Sequence, residues 1–207
     1  LDCVAYDIEP ERDDIIKADF LNLNIEKKGK ILVVGNPPFG RQSSLAIKFI
    51  NHASTFADTI AFILPLSFKK ESMIKKLNSH LHLENVVDLP NDAFYYCDKD
   101  YNIPFAFFIF KHREEIREKA EKIQTEDFEF VNKEAADYSI RRVGYYAGKV
   151  EGLDVSKESH YFIKDNNNAI EILKQIKYPS ALNTVGSRSI SKNEIVKEYL
   201  YQKSLTK

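Results

Sequence analysis

The chain has 207 residues, of which 43% are hydrophobic and 29% charged, and this composition suits one folded domain with a small extension and excludes disorder. Thirty Lys and Arg residues nearly balance 31 Asp and Glu residues, so no strong overall attraction to nucleic acid or membrane is expected, although a local basic patch is compatible with that balance. The longest apolar runs, 59–66 and 103–110, are too short to cross a bilayer. Two cysteines form neither a disulfide framework nor a zinc pattern, which predicts a cytoplasmic location.

The first half of the chain alternates between apolar, β-branched runs and helical stretches. The predicted strands cover 1–8, 15–18, 30–35, 59–66, 83–89 and 103–110. One helix is predicted from Ser43 or Ser44, either of which can cap it, and a second over 69–80. Strands separated by helical stretches predict βαβ units and a mostly parallel sheet.

The second half of the chain carries weaker signals. The predicted elements are a solvated helix over 112–122, a strand over 125–131, a turn-rich segment over 138–150, an apolar run over 160–164 and helices at 167–176 and near 192–202. We expect a core at 1–112 and an extension at 113–207 that serves as a substrate-recognition region.

A tetrapeptide of unusual chemistry, Asn36-Pro37-Pro38-Phe39, follows the strand predicted at 30–35. Ligands bind beyond the carboxyl ends of strands in open α/β sheets. There the Asn36 side-chain carbonyl can accept a hydrogen bond from an NH2 group, and the prolines fix the direction of backbone carbonyls. Two acceptors on one amine would draw its lone pair out of conjugation and make the nitrogen a better nucleophile, while the Phe39 ring could stack on a planar group. The alternative is a simple strand-ending turn, which explains every residue except the aromatic one.

Two earlier strand ends carry acidic residues. Asp7 lies at the end of the first predicted strand and suits ribose hydroxyls. Asp19 and Phe20 follow the second, where they offer an acceptor for an adenine amine and a ring to pack on its face. A single Asp at a strand end is usually a turn or capping residue. An ordered set of three such strand ends is harder to attribute to turns alone.

Together these segments resemble the S-adenosylmethionine-dependent amino-methyltransferases, most closely the DNA adenine methyltransferases with an Asn-Pro-Pro-aromatic motif. The resemblance covers about residues 1–112. VAYDIEP resembles the ribose-binding segment of that family, ADFLN the segment that reads the adenine of the cofactor, and GNPPFG the catalytic motif. The later strands resemble those that form the wall of the target pocket.

The resemblance implies a Rossmann-like, three-layer α/β sandwich, whose mostly parallel sheet has an antiparallel edge, and S-adenosylmethionine as cofactor. The implied cofactor-binding residues are Asp7, Ile8, Asp19, Phe20 and Asn36. The implied catalytic residues are Asn36, Pro37, Pro38 and Phe39. Phe39 would also stack on the target base.

The reaction implied is direct methyl transfer to the exocyclic amine of adenine in DNA. RNA adenine, a protein glutamine side chain and a non-catalytic binding role are alternatives that the motif leaves open. A duplex substrate would require base flipping to reach such a pocket. The implied partner is nucleic acid, foremost DNA, with a partner subunit or a restriction nuclease as further candidates.

One departure from the family concerns the amino-terminal end. The first strand and the glycine-rich cofactor loop of the family precede the ribose acid, yet only seven glycines occur here and none comes before Gly29. We expect the missing strand and loop upstream of Leu1. A degenerate, inactive relative is the rival explanation.

Basic residues supply further candidates for substrate contact. Arg41 lies just beyond the tetrapeptide, and Arg141-Arg142 with Tyr145-Tyr146 interleaves cations and rings as nucleic-acid surfaces do. Arg41 and Arg142 are therefore predicted to bind substrate, although a plain hairpin would account equally well for the second group. Four lysines fit a solvated helix face better: Lys69, Lys70, Lys75 and Lys76. The histidines show no metal-ligand spacing, so no metal is expected.

Overall fold

The computed structural model describes residues 2–90, 95–96, 99–100, 104–118, 121–182 and 188–205. The chain forms two compact units, Leu1–Glu118 and Lys119–Lys207. Strands and helices occur in both units, so the predicted mixed α/β class is confirmed at that level.

The first unit holds eight strands and two α-helices in the residues described. The strands are β1 (Tyr6–Asp7), β2 (Ile16–Lys17), β3 (Leu32–Gly35), β4 (Thr59–Pro65), β5 (Leu81–Asp88), β6 (Tyr95–Tyr96), β7 (Lys99–Asp100) and β8 (Phe105–His112). The helices are α1 (Ser44–Ala53) and α2 (Glu71–Ile74).

The main sheet of the first unit has four strands in the order β3-β4-β8-β5. Strands β3 and β4 are parallel, whereas β8 is antiparallel to both of its neighbours. The sheet is therefore mixed: β3, β4 and β5 run in one direction, and β8, which lies between β4 and β5 instead of at an edge, runs in the opposite direction. Antiparallel neighbours require no helical crossover, and the chain between β5 and β8 contains the antiparallel pair β6 and β7 instead. A separate parallel pair joins β1 to β2.

One face of the main sheet forms the apolar core of the first unit. Ile60 and Leu64 from β4 and Phe108 from β8 are fully buried on this face, together with Ile50 from α1. Ala46, Ile50 and Ala53 repeat at helical spacing, which explains why one side of α1 packs on the sheet. On the opposite face, Leu32 and Val34 are 60% and 62% exposed, so β3 is covered on one side only.

Strand β3 is held at its start by Asp58, the residue before β4. The Asp58 carboxylate accepts hydrogen bonds from the Ile31 amide and the Lys27 ammonium, both at 2.8 Å. The bond from Lys27, followed by that from Ile31, keeps the pKa of Asp58 below its ordinary value. These contacts fix the strand that ends at Asn36.

The helix predicted over 112–122 is absent from the part of this segment that the structure describes. His112 ends β8, and the Arg117 guanidinium turns back to donate to the carbonyls of Ile74, Leu77, Asn78 and Leu81. These carbonyls lie at and after the end of α2, where helix carbonyls need donors from outside the helix. Because Arg117 donates to them, the segment after β8 runs back along the turn that follows α2 and does not form a helix. The helix predicted over 69–80 is likewise reduced to the single turn α2.

The second unit contains a four-stranded antiparallel sheet and two α-helices in the residues described. The elements are β9 (Phe128–Val131), β10 (Tyr138–Arg141), β11 (Val150–Glu151), β12 (His160–Asp165), α3 (Ile170–Leu173) and α4 (Lys192–Leu205). The strand order is β11-β10-β12-β9. Ile195, Val196 and Tyr199 of α4 belong to the same buried cluster as Ile140 and Ile163 of the sheet.

The helix predicted over 167–176 is shorter than expected. Its first turn is anchored by Asp165, whose carboxylate accepts from the amides of Ala169 and Ile170. Helix α4 matches the prediction near 192–202 and, at 14 residues, is the longest helix described. Among the described residues, no helix has the length and apolar character needed to cross a membrane.

Candidate functional site

An open cavity of about 480 Å³ lies within the first unit, at the ends of its first three strands. Its lining comprises residues 6–8, 18–21 and 33–38 with Leu45, Phe49 and Phe62. The three segments follow β1, β2 and β3, so the structure brings together the strand ends that the sequence singled out. Asp7, Ile8, Asp19, Phe20, Asn36, Pro37 and Pro38 all line the cavity.

Asn36 stands at the end of β3 with an exposed side chain. No hydrogen bond to its amide group is found among the described residues. Pro37 is buried and fixes the direction of the loop, while no described backbone N–H donates to the carbonyl of Pro37 or Pro38. This loop therefore presents an amide oxygen and two backbone carbonyls as open acceptors.

The turn from this loop into α1 uses unusual backbone conformations. Gly40, Gln42 and Ser43 have φ values of 67°, 52° and 60°, and a Cβ on Gly40 would lie 2.9 Å from the Leu45 Cβ. The Phe39 carbonyl accepts from the amides of Leu45 and Ala46, which ties the loop to the helix. Left-handed conformations outside glycine are uncommon and concentrate at functional sites.

The expected side-chain cap of this helix is not formed. Ser43 occupies the N-cap position without a capping hydrogen bond, and its buried hydroxyl has no hydrogen-bond partner among the described residues. Ser44 is already the first residue of α1. The helix start relies instead on the Phe39 carbonyl, because the left-handed turn carries the Ser43 side chain away from the free amides.

Phe39 lies elsewhere than the other residues of its motif. It is absent from the cavity lining, packs against the apolar core and stacks on Phe105, with ring centroids 5.2 Å apart. The ring is therefore held against the core of the first unit and does not line the cavity.

Asp7 and Ile8 form the first wall of the cavity. One carboxylate oxygen of Asp7 accepts the Glu9 amide at 2.8 Å, and the other has no hydrogen bond among the described residues. Ile8 is 63% exposed although it is a large apolar side chain. An acceptor beside an uncovered apolar side chain suits a ligand that has hydroxyl groups next to a flat ring.

Asp19 and Phe20 form the second wall. The Asp19 carboxylate caps a short 3-10 turn, Phe20–Asn22, by accepting from the Leu21 amide and the Asn22 side chain. Each carboxylate oxygen can accept more than one hydrogen bond, so capacity for a ligand amine remains. The Phe20 ring stacks on Phe49 at a centroid distance of 5.1 Å.

Three lining residues lie outside the three strand-end segments: Leu45, Phe49 and Phe62. Leu45 and Phe49 are four residues apart on α1, so they share a helix face. The spacing is visible in the sequence, but apolar spacing alone does not distinguish a helix face in a core from one beside a cavity. The Phe49 ring does both, since it packs on the core and lines the cavity.

The remaining predicted contacts lie outside this cavity. Arg41 is exposed and adjoins the tetrapeptide in sequence without lining the cavity, and Arg142 belongs to the second unit. Lys69 pairs with Asp88, and Lys75 with Glu71, as expected for a solvated surface. In the described part of the chain, no cluster of three or more His, Cys, Asp or Glu side chains could hold a metal ion.

The lining chemistry fits the cofactor that the sequence resemblance implies. A volume of about 480 Å³ lies in the usual range of small-molecule sites. The free Asp7 oxygen would meet a ribose hydroxyl, and Ile8 and Phe20 would bound an adenine ring. The open acceptors around Asn36 lie in the same cavity, where they could engage an amine.

Comparison of the chain with protein-family models, with curated proteins and with solved structures gives no match.

Proposed function

We propose that the protein transfers a methyl group from S-adenosylmethionine to the exocyclic amine of adenine in DNA. The observation that carries the proposal is the cavity in which three strand ends meet, with Asp7 from the first, Asp19 from the second and Asn36 from the third. The resemblance of the three segments to the amino-methyltransferase family supplies the identity of the reaction.

The first two strand ends would hold the cofactor. Asp7 would accept a ribose hydroxyl, while Ile8 and Phe20 would pack against the adenine ring. Asp19 would accept a hydrogen bond from the adenine amine through the lone pairs that its own turn leaves free. The bound cofactor would supply a methyl group on a positively charged sulfur.

The third strand end would hold the target amine. The Asn36 side-chain oxygen and a carbonyl of Pro37 or Pro38 would accept hydrogen bonds from its two N–H groups, so the nitrogen lone pair would be drawn out of conjugation with the base ring. The rigid prolines keep these acceptors in place, which reduces the entropic cost of positioning the amine.

The decisive experiment measures cofactor binding and methyl transfer separately on the full-length protein. Radiolabelled S-adenosylmethionine is offered with DNA, RNA and protein substrates. We expect label in DNA adenine, and we expect Asn36→Ala to lower transfer by at least about 100-fold with cofactor affinity unchanged, because donors and acceptors that act at the reacting atom have effects of this size.

Asn24→Ala is the matched control, since Asn24 is an exposed asparagine of the same unit that lies outside the cavity lining. Near-normal turnover of Asn36→Ala would contradict the proposed role of the loop. Label in RNA adenine or in protein glutamine would show that RNA or protein, and not DNA, is the substrate. Lack of cofactor binding would favour a non-catalytic binding role.

A further inference from the structure

The second unit carries a surface on which two exposed tyrosine rings and one half-buried tyrosine ring lie beside cations. We call this the cation–aromatic surface and define it by Tyr145, Tyr146, Tyr161, Arg142, Arg188 and Lys192. None of these residues lines the cavity of the first unit.

Two tyrosines project from the turn between β10 and β11. Tyr145 is 71% exposed and Tyr146 is 59% exposed, and their rings meet edge to face at 5.1 Å. The Arg188 guanidinium lies 4.6 Å from the Tyr145 ring centre, and the Lys149 ammonium lies 5.6 Å from that of Tyr146. Each ring thus has a cation beside it and a large area open to solvent.

The backbone beneath the tyrosines is well fixed. The Gly144 amide donates to the Arg188 carbonyl at 2.8 Å, and the Ile190 amide donates to the Arg142 carbonyl at 2.9 Å. Gly148, at a φ of 100°, packs directly on the buried Tyr178 ring, where an added Cβ would lie 2.3 Å from a ring carbon. The exposed rings therefore stand on an ordered turn whose two sides are hydrogen-bonded.

A third ring extends the same surface. Tyr161 has the Arg142 guanidinium at 5.9 Å and the Lys192 ammonium at 5.6 Å from its centre, and Lys192 also lies 4.8 Å from the Phe130 ring. In this part of the second unit, four cations lie 4.6–5.9 Å from the centres of four rings.

Of the cations beside these rings, most form no ion pair with a carboxylate among the described residues. Lys149 pairs with Glu151 at 3.3 Å, and Arg142 donates to the Glu158 backbone carbonyl at 2.7 Å. For Arg188 and Lys192, no ion pair is found within the described residues. The surface therefore combines cations available for phosphate with rings available for stacking.

We infer that this surface binds a single-stranded polynucleotide segment, with bases stacked on Tyr145 and Tyr146 and phosphates near Arg188 and Lys192. Sequence-tolerant strand binding uses this pairing of rings and cations, because every base has a flat face and every linkage carries a negative charge. The inference rests on the proposed function for the class of ligand, and its geometric support comes from the second unit alone.

The test measures binding of fluorescein-labelled oligonucleotides to the full-length protein by anisotropy, without cofactor. The arms are single-stranded DNA, single-stranded RNA of the same sequence and the corresponding DNA duplex. We expect the double variant Tyr145→Ala/Tyr146→Ala to raise the single-strand Kd by at least about tenfold, since base–ring stacking has effects of this order. Tyr201→Ala is the matched control, because Tyr201 is 58% exposed in the same unit and lies outside the surface.

Arg188→Ala tests the electrostatic part. The slope of log Kd against log salt concentration should fall by about 0.7, the value for one lost contact to a single strand. Lys174→Ala, at an exposed lysine of α3's carboxyl end, should leave the slope unchanged.

Unchanged binding of the double tyrosine variant would overturn the inference, as would equal losses in the Tyr201→Ala control. Tighter binding of the duplex than of either single strand would also overturn it. These outcomes are independent of the cofactor and methyl-transfer assays. Loss of methyl transfer with intact strand binding would contradict the proposed function alone, and the converse would contradict this inference alone.

Discussion

The two units of the chain differ in the polar side chains that they bury. Among the described residues, the buried polar side chains of the first unit are the serines Ser43, Ser54 and Ser67. The second unit buries a carboxylate and an imidazole, Asp127 and His160. The first unit therefore has an almost purely apolar interior, whereas the second builds charge into its interior.

Asp127 shows how the second unit stabilises its buried charge. One of its oxygens accepts from the Tyr199 hydroxyl, the Lys203 ammonium and the Thr125 hydroxyl, and the other accepts from the Asn167 amide. The bond from Lys203 is the main reason that the pKa of Asp127 is lowered to about 2, although burial opposes this shift. This carboxylate links β9, the start of α3 and α4.

His160 and Glu151 form a second such group. The imidazole contacts the Glu151 carboxylate at 2.8 Å through Nε2 and the Ser156 carbonyl at 3.0 Å through Nδ1. The bond from His160, followed in effect by that from Arg141, lowers the pKa of Glu151 to about 2 against the cost of burial.

This difference separates structural from functional polar groups. Asp127 and Glu151 have their acceptor capacity filled by side chains of their own unit, so they stabilise the fold. The Asn36 amide and one oxygen of Asp7 lack such partners in the described residues, so they remain available to a ligand. This comparison can be tested with mutations, because changes at the first kind of group should lower stability and changes at the second kind should lower ligand binding.

The largest expected effect is on the apolar interior of the first unit. Phe108→Ala should lower the free energy of unfolding by about 3–5 kcal/mol, because it removes a fully buried ring and leaves a cavity. Ile116→Ala, at a side chain that is 66% exposed, is the control and should change stability by less than about 0.5 kcal/mol. Urea unfolding followed by circular dichroism measures both, and equal effects would show that Phe108 does not belong to the core.

A smaller effect is expected from the buried charge of the second unit. Asp127→Ala should cost about 1–3 kcal/mol, because it leaves the buried Tyr199 hydroxyl and other donors without an acceptor. Hydrogen exchange measured peptide by peptide should show the loss of protection in α4 and β9. Loss confined to the first unit would contradict the role given to this carboxylate.

Because of the same two carboxylates, we expect the stability of the second unit to decrease in acid. The folded pKa values of Asp127 and Glu151, about 2, lie below the ordinary values near 4, so their stabilisation is present above about pH 4 and is lost as the pH falls toward 2. Unfolding midpoints in urea at pH 7, 4 and 3 should decrease in that order. Asp127→Asn should flatten this dependence, and an unchanged slope would exclude Asp127 as its source.

The smallest effect on stability is expected at the cavity. Asp7→Asn should change the free energy of unfolding by less than about 0.5 kcal/mol, because the side chain is exposed and makes only a local bond. The same change should weaken S-adenosylmethionine binding by about tenfold, measured by calorimetry, since a charged acceptor for a hydroxyl is replaced by a neutral one. Unaltered affinity would remove Asp7 from the proposed cofactor site.

The sequence predicts the positions of the main strands well, because β3, β4 and β8 are almost entirely apolar and β5, although it includes polar residues, contains the β-branched pair Val86-Val87. The directions of the strands cannot be predicted in the same way, since an apolar run is the same in a parallel or an antiparallel strand. That is why the antiparallel placement of β8 between β4 and β5 could not be foreseen from periodicity.

The candidate site was predictable where each residue follows directly from a strand end, as Asp7, Asp19 and Asn36 do. Phe49 and the position of Phe39 were not, because both depend on how α1 packs after the left-handed turn at Gln42 and Ser43. The helix predicted over 69–80 is reduced to α2, and the Arg117 guanidinium donates to the carbonyls of Ile74 and Leu77. The helix predicted over 112–122 is absent from the described part of that segment. Neither outcome could be predicted from the sequence, because the contacts of Arg117 are tertiary.

The hydrogen bonds that Arg117 donates to backbone carbonyls determine where the first unit can be joined to a different second unit. The first unit does not end where its last strand ends, because a side chain beyond that strand completes the hydrogen bonding of the turn after α2. A recombination event or an engineered fusion that joined a new second unit at His112 would leave those carbonyls without their donor. A junction after Glu118 would retain it, so that position is where one second unit could be exchanged for another.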